Sequence, residues 1–114
     1  AGVDIHGVHD WNEGIQNFVP SYEPSHRPEL SELAFESSPM AHVDQWEDPV
    51  LLIHGDDDRN VRFSETVSLV RELRRLEVPH DVLILPDEVH GFLLHRSWLS
   101  AYEATAGWFD RWLR

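Results

Sequence analysis

Two loops in this 114-residue sequence combine side chains that hold and move protons. The first, Asp56-Asp57-Asp58-Arg59-Asn60, follows the unbroken apolar run Val50-Leu51-Leu52-Ile53 and the pair His54-Gly55. The second, Pro86-Asp87-Glu88-Val89-His90-Gly91-Phe92, follows another apolar run, Val82 to Leu85. A carboxylate that accepts a hydrogen bond from one imidazole nitrogen orients the ring and stabilises its cation. The other nitrogen can then take a proton from a nucleophile and return it to a leaving group. An acid of the first loop and His90 of the second can do this chemistry if the chain brings them side by side.

The elements around these loops are of the kind that would. Unbroken apolar runs of this length suit strands buried on both faces of a parallel sheet, and Val3 to Ile5 reads as a third. Between the two longer runs a helix is predicted from about Ser64 to Leu76. Val67, Val70 and Leu73 would form one face, flanked by Leu69 and Leu76, with Arg71, Glu72, Arg74 and Arg75 mostly on the other. Pro79 ends it, so the unit reads strand, helix, strand. Adjacent parallel strands deliver the loops that follow them to one edge of the sheet, which is where reactive groups gather in open α/β folds. Asp58 and His90 are therefore expected at a common edge. A closing helix is predicted from the spacing of Trp98, Tyr102, Thr105, Phe109 and Trp112, capped by Ser97 or, one turn later, by Ser100 with Glu103. Residues 11–48, broken by Pro20, Pro24, Pro28 and Pro39 and bounded by Pro49, read as a long connection with one helix. Pro28 would open that helix, with Glu29, Leu30, Leu33 and Ala34 behind it.

Acid before base, with a nucleophile further upstream, is the chain order of an α/β-hydrolase triad. Pro49 to Val61, the helix after it, and Asp87 to Phe92 together resemble the C-terminal end of the prolyl oligopeptidase family of serine peptidases, including its acylaminoacyl-peptidase and dipeptidyl-peptidase branches. The likeness runs over most of the chain. It implies that Asp58, two residues before Asn60, is the catalytic acid, and that His90, followed by Gly91 and Phe92, is the base. It also implies that Asn60 and Val61 border the substrate, and it calls for no cofactor and no metal. Arg62 stands where many relatives carry Pro before the Phe-Ser pair, which should alter helix entry more than chemistry. No Gly-x-Ser-x-Gly occurs, because none of the six glycines brackets a serine. The resemblance implies that this motif lies just before a strand like Ala1 to Gly7. Residues 1–114 are thus expected to be the C-terminal part of one catalytic domain, inactive alone.

Other readings of the same residues are weaker. Asp56, Asp57 and Asp58 could be a solvated turn, but the strand before them and Asn60-Val61 after them argue otherwise. Asp56, Asp58 and Asn60 alternate as in a calcium loop, yet Val61 and Val67 stand where that loop needs Gly and Glu. His6 and His9, with Asp10 beside them, lack an obvious third metal ligand. His54 reads as a buried, hydrogen-bonded residue, His80 and His95 as exposed, and Trp98, Trp108 and Trp112 as packing.

Composition sets the bounds. With 41% apolar and 11% aromatic residues the chain can bury one core. Twenty-one acids against nine basic residues give a net charge of −12, which disfavours nucleic acid; Arg71, Arg74 and Arg75 read as a solvated helix face. No cysteine is present. No apolar run approaches the roughly 20 residues of a membrane helix, and no membrane partner is expected. The opening Ala-Gly-Val-Asp-Ile reads as the inside of a strand, and the resemblance implies as partners a peptide substrate and the nucleophile-bearing remainder of the enzyme. Self-association through an exposed sheet edge is the further expectation. A carboxylesterase or dienelactone-hydrolase-like enzyme is the nearest alternative function, and a non-catalytic acidic interaction module is the alternative from another class.

Overall fold

The computed structural model describes all of residues 1–114. Three strands, β1 (Gly2–Ile5), β2 (Val50–Gly55) and β3 (His80–Leu85), form a parallel sheet in the order β1-β2-β3. Leu52 lies opposite Asp4 on one side and Val82 on the other, and Gly55 stands opposite Leu85. The loops after β2 and β3 therefore leave the sheet level with each other.

Every residue of β2 is buried, as its unbroken apolar run requires for a strand covered on both faces. Side-chain alternation divides it. Val50 and Leu52 join Val43, Leu69, Leu73 and Val78 in one core, beneath helix α3 (Ser64–Arg75). Leu51 and Ile53 join Leu85, Phe92, Ala101 and Trp108 in the other, beneath helix α4 (His95–Trp112). Leu52, Ile53, Leu69 and Leu73 are wholly inaccessible, and each such burial contributes roughly 1.5–3 kcal/mol.

Residues 11–48 hold two α-helices, not one. Helix α1 (Trp11–Phe18) is capped by Asp10, whose carboxylate accepts the Asn12 N–H at 2.9 Å. Helix α2 (Pro28–Glu36) opens on its proline as expected, and 3₁₀ turns occupy Pro24–His26 and Pro39–Gln45. The sequence carried the signal for α1 in Asp10 followed by Glu13 three residues on, a capping pattern.

Both longer helices are rotated from the expected phase. On α3 the buried residues are Glu65, Thr66, Leu69 and Leu73, whereas Val67 is 39% exposed. On α4 they are Ser97, Ala101 and Trp108, and Tyr102 is 60% exposed. In each case the first buried turn is polar because it bonds to the loops of the sheet, so counting apolar residues misjudges the stripe. Neither expected cap is used on α4. Instead Glu88, 2% exposed, accepts the Leu93 and Leu94 N–H groups and the Ser97 hydroxyl.

Candidate active site

Three residues past the end of β2, the Asp58 side chain turns back under the loop and is fully buried. Its Oδ1 accepts the backbone N–H groups of Asn60 and Val61, both at 2.9 Å, which closes the turn around it. Its Oδ2 accepts from two imidazoles, His90 Nδ1 at 2.9 Å and His54 Nε2 at 3.0 Å. Burial alone would raise the Asp58 pKa. The Val61 amide, the His90 ring, the Asn60 amide and the His54 ring outweigh burial and hold the carboxyl below its ordinary value.

His90 sits five residues past β3, about one-third exposed. Because Nδ1 faces a carboxylate, that nitrogen carries the proton and Nε2 keeps its lone pair. The His6 ring, from the loop after β1, lies against it with centroids 4.0 Å apart. Burial, and then the adjacent His90, push the His6 pKa down. Both loops hold residues at positive φ, His6 at 45° and Asp87 at 60°, a left-handed conformation that is uncommon outside glycine and that His and Asp enter more readily than most.

The two site loops are tied edge to edge. Asp56 N–H donates to Leu85 O at 3.2 Å, Asp57 N–H to Glu88 O at 3.1 Å, and Asp87 N–H to Asp56 Oδ1 at 2.7 Å. Asp56 and Asp57 are exposed. Asn60 is exposed at the rim of the turn, and Val61 is buried beneath it.

Below the pair, the first turn of α3 anchors the end of β2 and the loop after β1. Thr66 Oγ1 meets His54 Nδ1 at 2.8 Å, and Glu65 Oε2 accepts the N–H groups of His9 and Asp10. His9 is buried with acceptors at both ring nitrogens, Asp4 at Nε2 and the Glu65 carbonyl at Nδ1, so it is an imidazolium. Burial opposes this charge, but Asp4 and Glu65 overcome it and raise the His9 pKa. No three His, Cys, Asp or Glu side chains are arranged to hold a metal ion. A cavity of about 550 Å³ opens along α3 beside Glu65, Arg71 and Met40, and neither Asp58 nor His90 lines it.

The structure brings Asp58 and His90 together, as expected of their two loops, and surrounds them with neighbours that the sequence did not point to. His54 was readable only as a buried hydrogen bonder, although its place four residues before Asp58 on a strand end was visible. His6 gave no signal beyond its proximity to His9.

Residues 1–114 match the family model of the prolyl oligopeptidase family. Dipeptidyl-peptidase 5 of Porphyromonas gingivalis is 32% identical over 75% of this chain, which covers 12% of that protein. A probable dipeptidyl-aminopeptidase B of Talaromyces marneffei is 28% identical over 94% of the chain and is also covered to 12%. The chain thus spans about an eighth of these relatives. Among solved structures, an acylaminoacyl peptidase of Pyrococcus horikoshii superposes with a TM-score of 0.82 at 20% identity, covering 98% of this chain and 20% of that one. A puromycin-hydrolyzing peptidase of Mycobacterium tuberculosis gives 0.80 at 23% identity, with 97% and 18% covered. The fold is that of α/β-hydrolase peptidases, with parallel strands and covering helices.

Proposed function

This chain belongs to the prolyl oligopeptidase family, and on that premise we propose that it is the C-terminal part of an α/β-hydrolase catalytic domain that cleaves peptide or acyl-peptide bonds with a Ser-Asp-His triad. Asp58 is the acid and His90 the base. The observation that carries this reading is the 2.9 Å contact between His90 Nδ1 and a fully buried, four-fold bonded Asp58 carboxylate. A carboxylate held ionised in that position fixes the His90 tautomer with Nε2 free. His90 Nε2 then takes the proton of a serine hydroxyl as its oxygen attacks the substrate carbonyl carbon, and gives it to the leaving amine as the C–N bond breaks. Water repeats the cycle, giving its proton to His90 while its oxygen attacks the acyl carbon, and the serine leaves with that proton. Asn60 at the rim and Val61 beneath it border the bound substrate.

The serine belongs to a part of the enzyme outside these 114 residues, and that part is the partner of β1. β1 ends the sheet order and bonds only to β2. Its outer N–H and C=O groups are open to another strand, and an unpaired edge of this kind recruits one. In the whole protein the nucleophile-bearing part fills that place; in the isolated chain a second copy does.

The test compares the full-length protein with the isolated 114-residue chain. A fluorophosphonate probe should label the former and leave the latter unlabelled, and the isolated chain should sediment as a self-associated species at micromolar concentration. Labelling of the isolated chain, or a folded full-length protein that resists the probe, would overturn the catalytic reading. A stable monomer with cooperative unfolding would overturn the pairing along β1.

A further inference from the structure

We infer that His54 is a positioning residue for the Asp58–His90 couple, its Nε2–H fixing the carboxylate oxygen that holds the base and the Thr66 hydroxyl fixing its tautomer. The inference rests on the triad reading above and adds a second imidazole to it.

The tautomer follows from the partners. His54 Nε2 lies 3.0 Å from both Asp58 Oδ2 and the Val61 carbonyl oxygen, two groups that can only accept. The proton therefore sits on Nε2. Nδ1, 2.8 Å from Thr66 Oγ1, accepts the hydroxyl proton. This arrangement gives every polar neighbour of the ring a partner. The ring is completely buried, with Phe63 against it at 5.4 Å between centroids, so none of these bonds is shared with bulk water.

Asp58 Oδ2 is consequently a bridge between two imidazoles. The Asn60 and Val61 amides fix Oδ1, and His54 fixes the rotation of the carboxylate about its own axis, which sets the direction in which His90 must point. His54 also draws part of the Oδ2 charge towards itself, so His90 shares its counter-ion. The titratable groups facing His90 are Asp58, with His54 behind it, from the β2 side and His6 from the β1 side. Removing the His54 donor leaves the Asp58 charge wholly to His90, which favours the imidazolium. It also leaves the buried Val61 carbonyl unbonded.

The experiment measures the pH dependence of kcat/KM in the full-length enzyme for His54→Leu, His54→Gln and Thr66→Val. Hydrogen-bond partners that orient metal ligands typically change activity about 10–100-fold, and the same order is expected of a residue that orients Asp58. His54→Leu should lower kcat by that order with little change in KM, and should move the acid limb of the profile to higher pH. His54→Gln keeps an N–H donor and should recover most of both. Thr66→Val, nearly isosteric and the gentler change, should shift the limb in the same direction by less, and it decides the matter if His54→Leu does not fold. Acid limbs of His54→Leu and Thr66→Val that coincide with the parent, or equal losses for Leu and Gln, would overturn the inference. Asp58→Asn separates the two readings: if it keeps parental turnover, the triad assignment fails, whereas a large loss there with an unmoved His54 profile refutes His54 alone.

Discussion

Asp58 holds its charge in a buried place because both oxygens are committed twice, to two amides and to two imidazoles. Ionised carboxylates are rarely buried without such compensation. The same logic operates a layer below, where His9 is kept cationic between Asp4 and Glu65. Its pKa is raised on folding, so its stabilising contribution is complete below the unfolded value of about 6.5 and is lost as pH rises through the higher folded value. His9→Leu should therefore destabilise the protein by about 3 kcal/mol near pH 6, the lower end for breaking a buried ion pair. Urea unfolding across the pH range is the check. The gap between the two proteins should narrow above the folded His9 pKa, and a gap that stays constant would contradict the charged assignment.

At the scale of elements, the site depends on two strand ends that leave the sheet in register and on loops packed without clearance. Gly55 shows how closely: a Cβ there would stand 2.3 Å from the Glu88 carbonyl oxygen and 2.7 Å from its carbon. Both atoms belong to backbone that also accepts the Asp57 N–H, so neither can step aside without parting the loops. Gly55→Ala should cost about 1–3 kcal/mol, as overpacking does, and should lower turnover together with Tm. Unchanged turnover and Tm would mean that the loops yield freely. The strands and the long helices were legible in the sequence because β2 is apolar throughout and α3 lies between two turn signals. Their phase was not. Glu65, Thr66 and Ser97 point inward to bond His9, Asp10, His54 and Glu88, and tertiary hydrogen bonds of that kind leave no mark on a hydrophobic pattern. Helix α1 was missed for another reason: its residues fall in a stretch judged by its prolines, and its Asp10 cap stands just before that stretch.

For the whole molecule, three parallel strands between two helical layers bring Asp58 and then His90, in chain order, to a single sheet edge. That much followed from two apolar runs and the loops behind them, and the pairing of Asp58 with His90 was legible for the same reason. The contacts of His54 with Asp58 and Thr66, and of His6 with His90, were not, since they depend on which face of β2 and which side of α3 meet. The catalytic claim turns on which acid of the triplet serves His90. Asp58 is buried against His90, while exposed Asp56 only accepts the Asp87 N–H through Oδ1, a bond that an Asn oxygen can replace. Turnover of a peptide substrate by the full-length enzyme therefore separates them. Asp58→Asn should lose on the order of 10⁴-fold in kcat with the fold intact, because the amide no longer holds the reactive tautomer, while Asp56→Asn stays near the parent; equal losses at the two positions, or a parental rate for Asp58→Asn, would contradict the assignment.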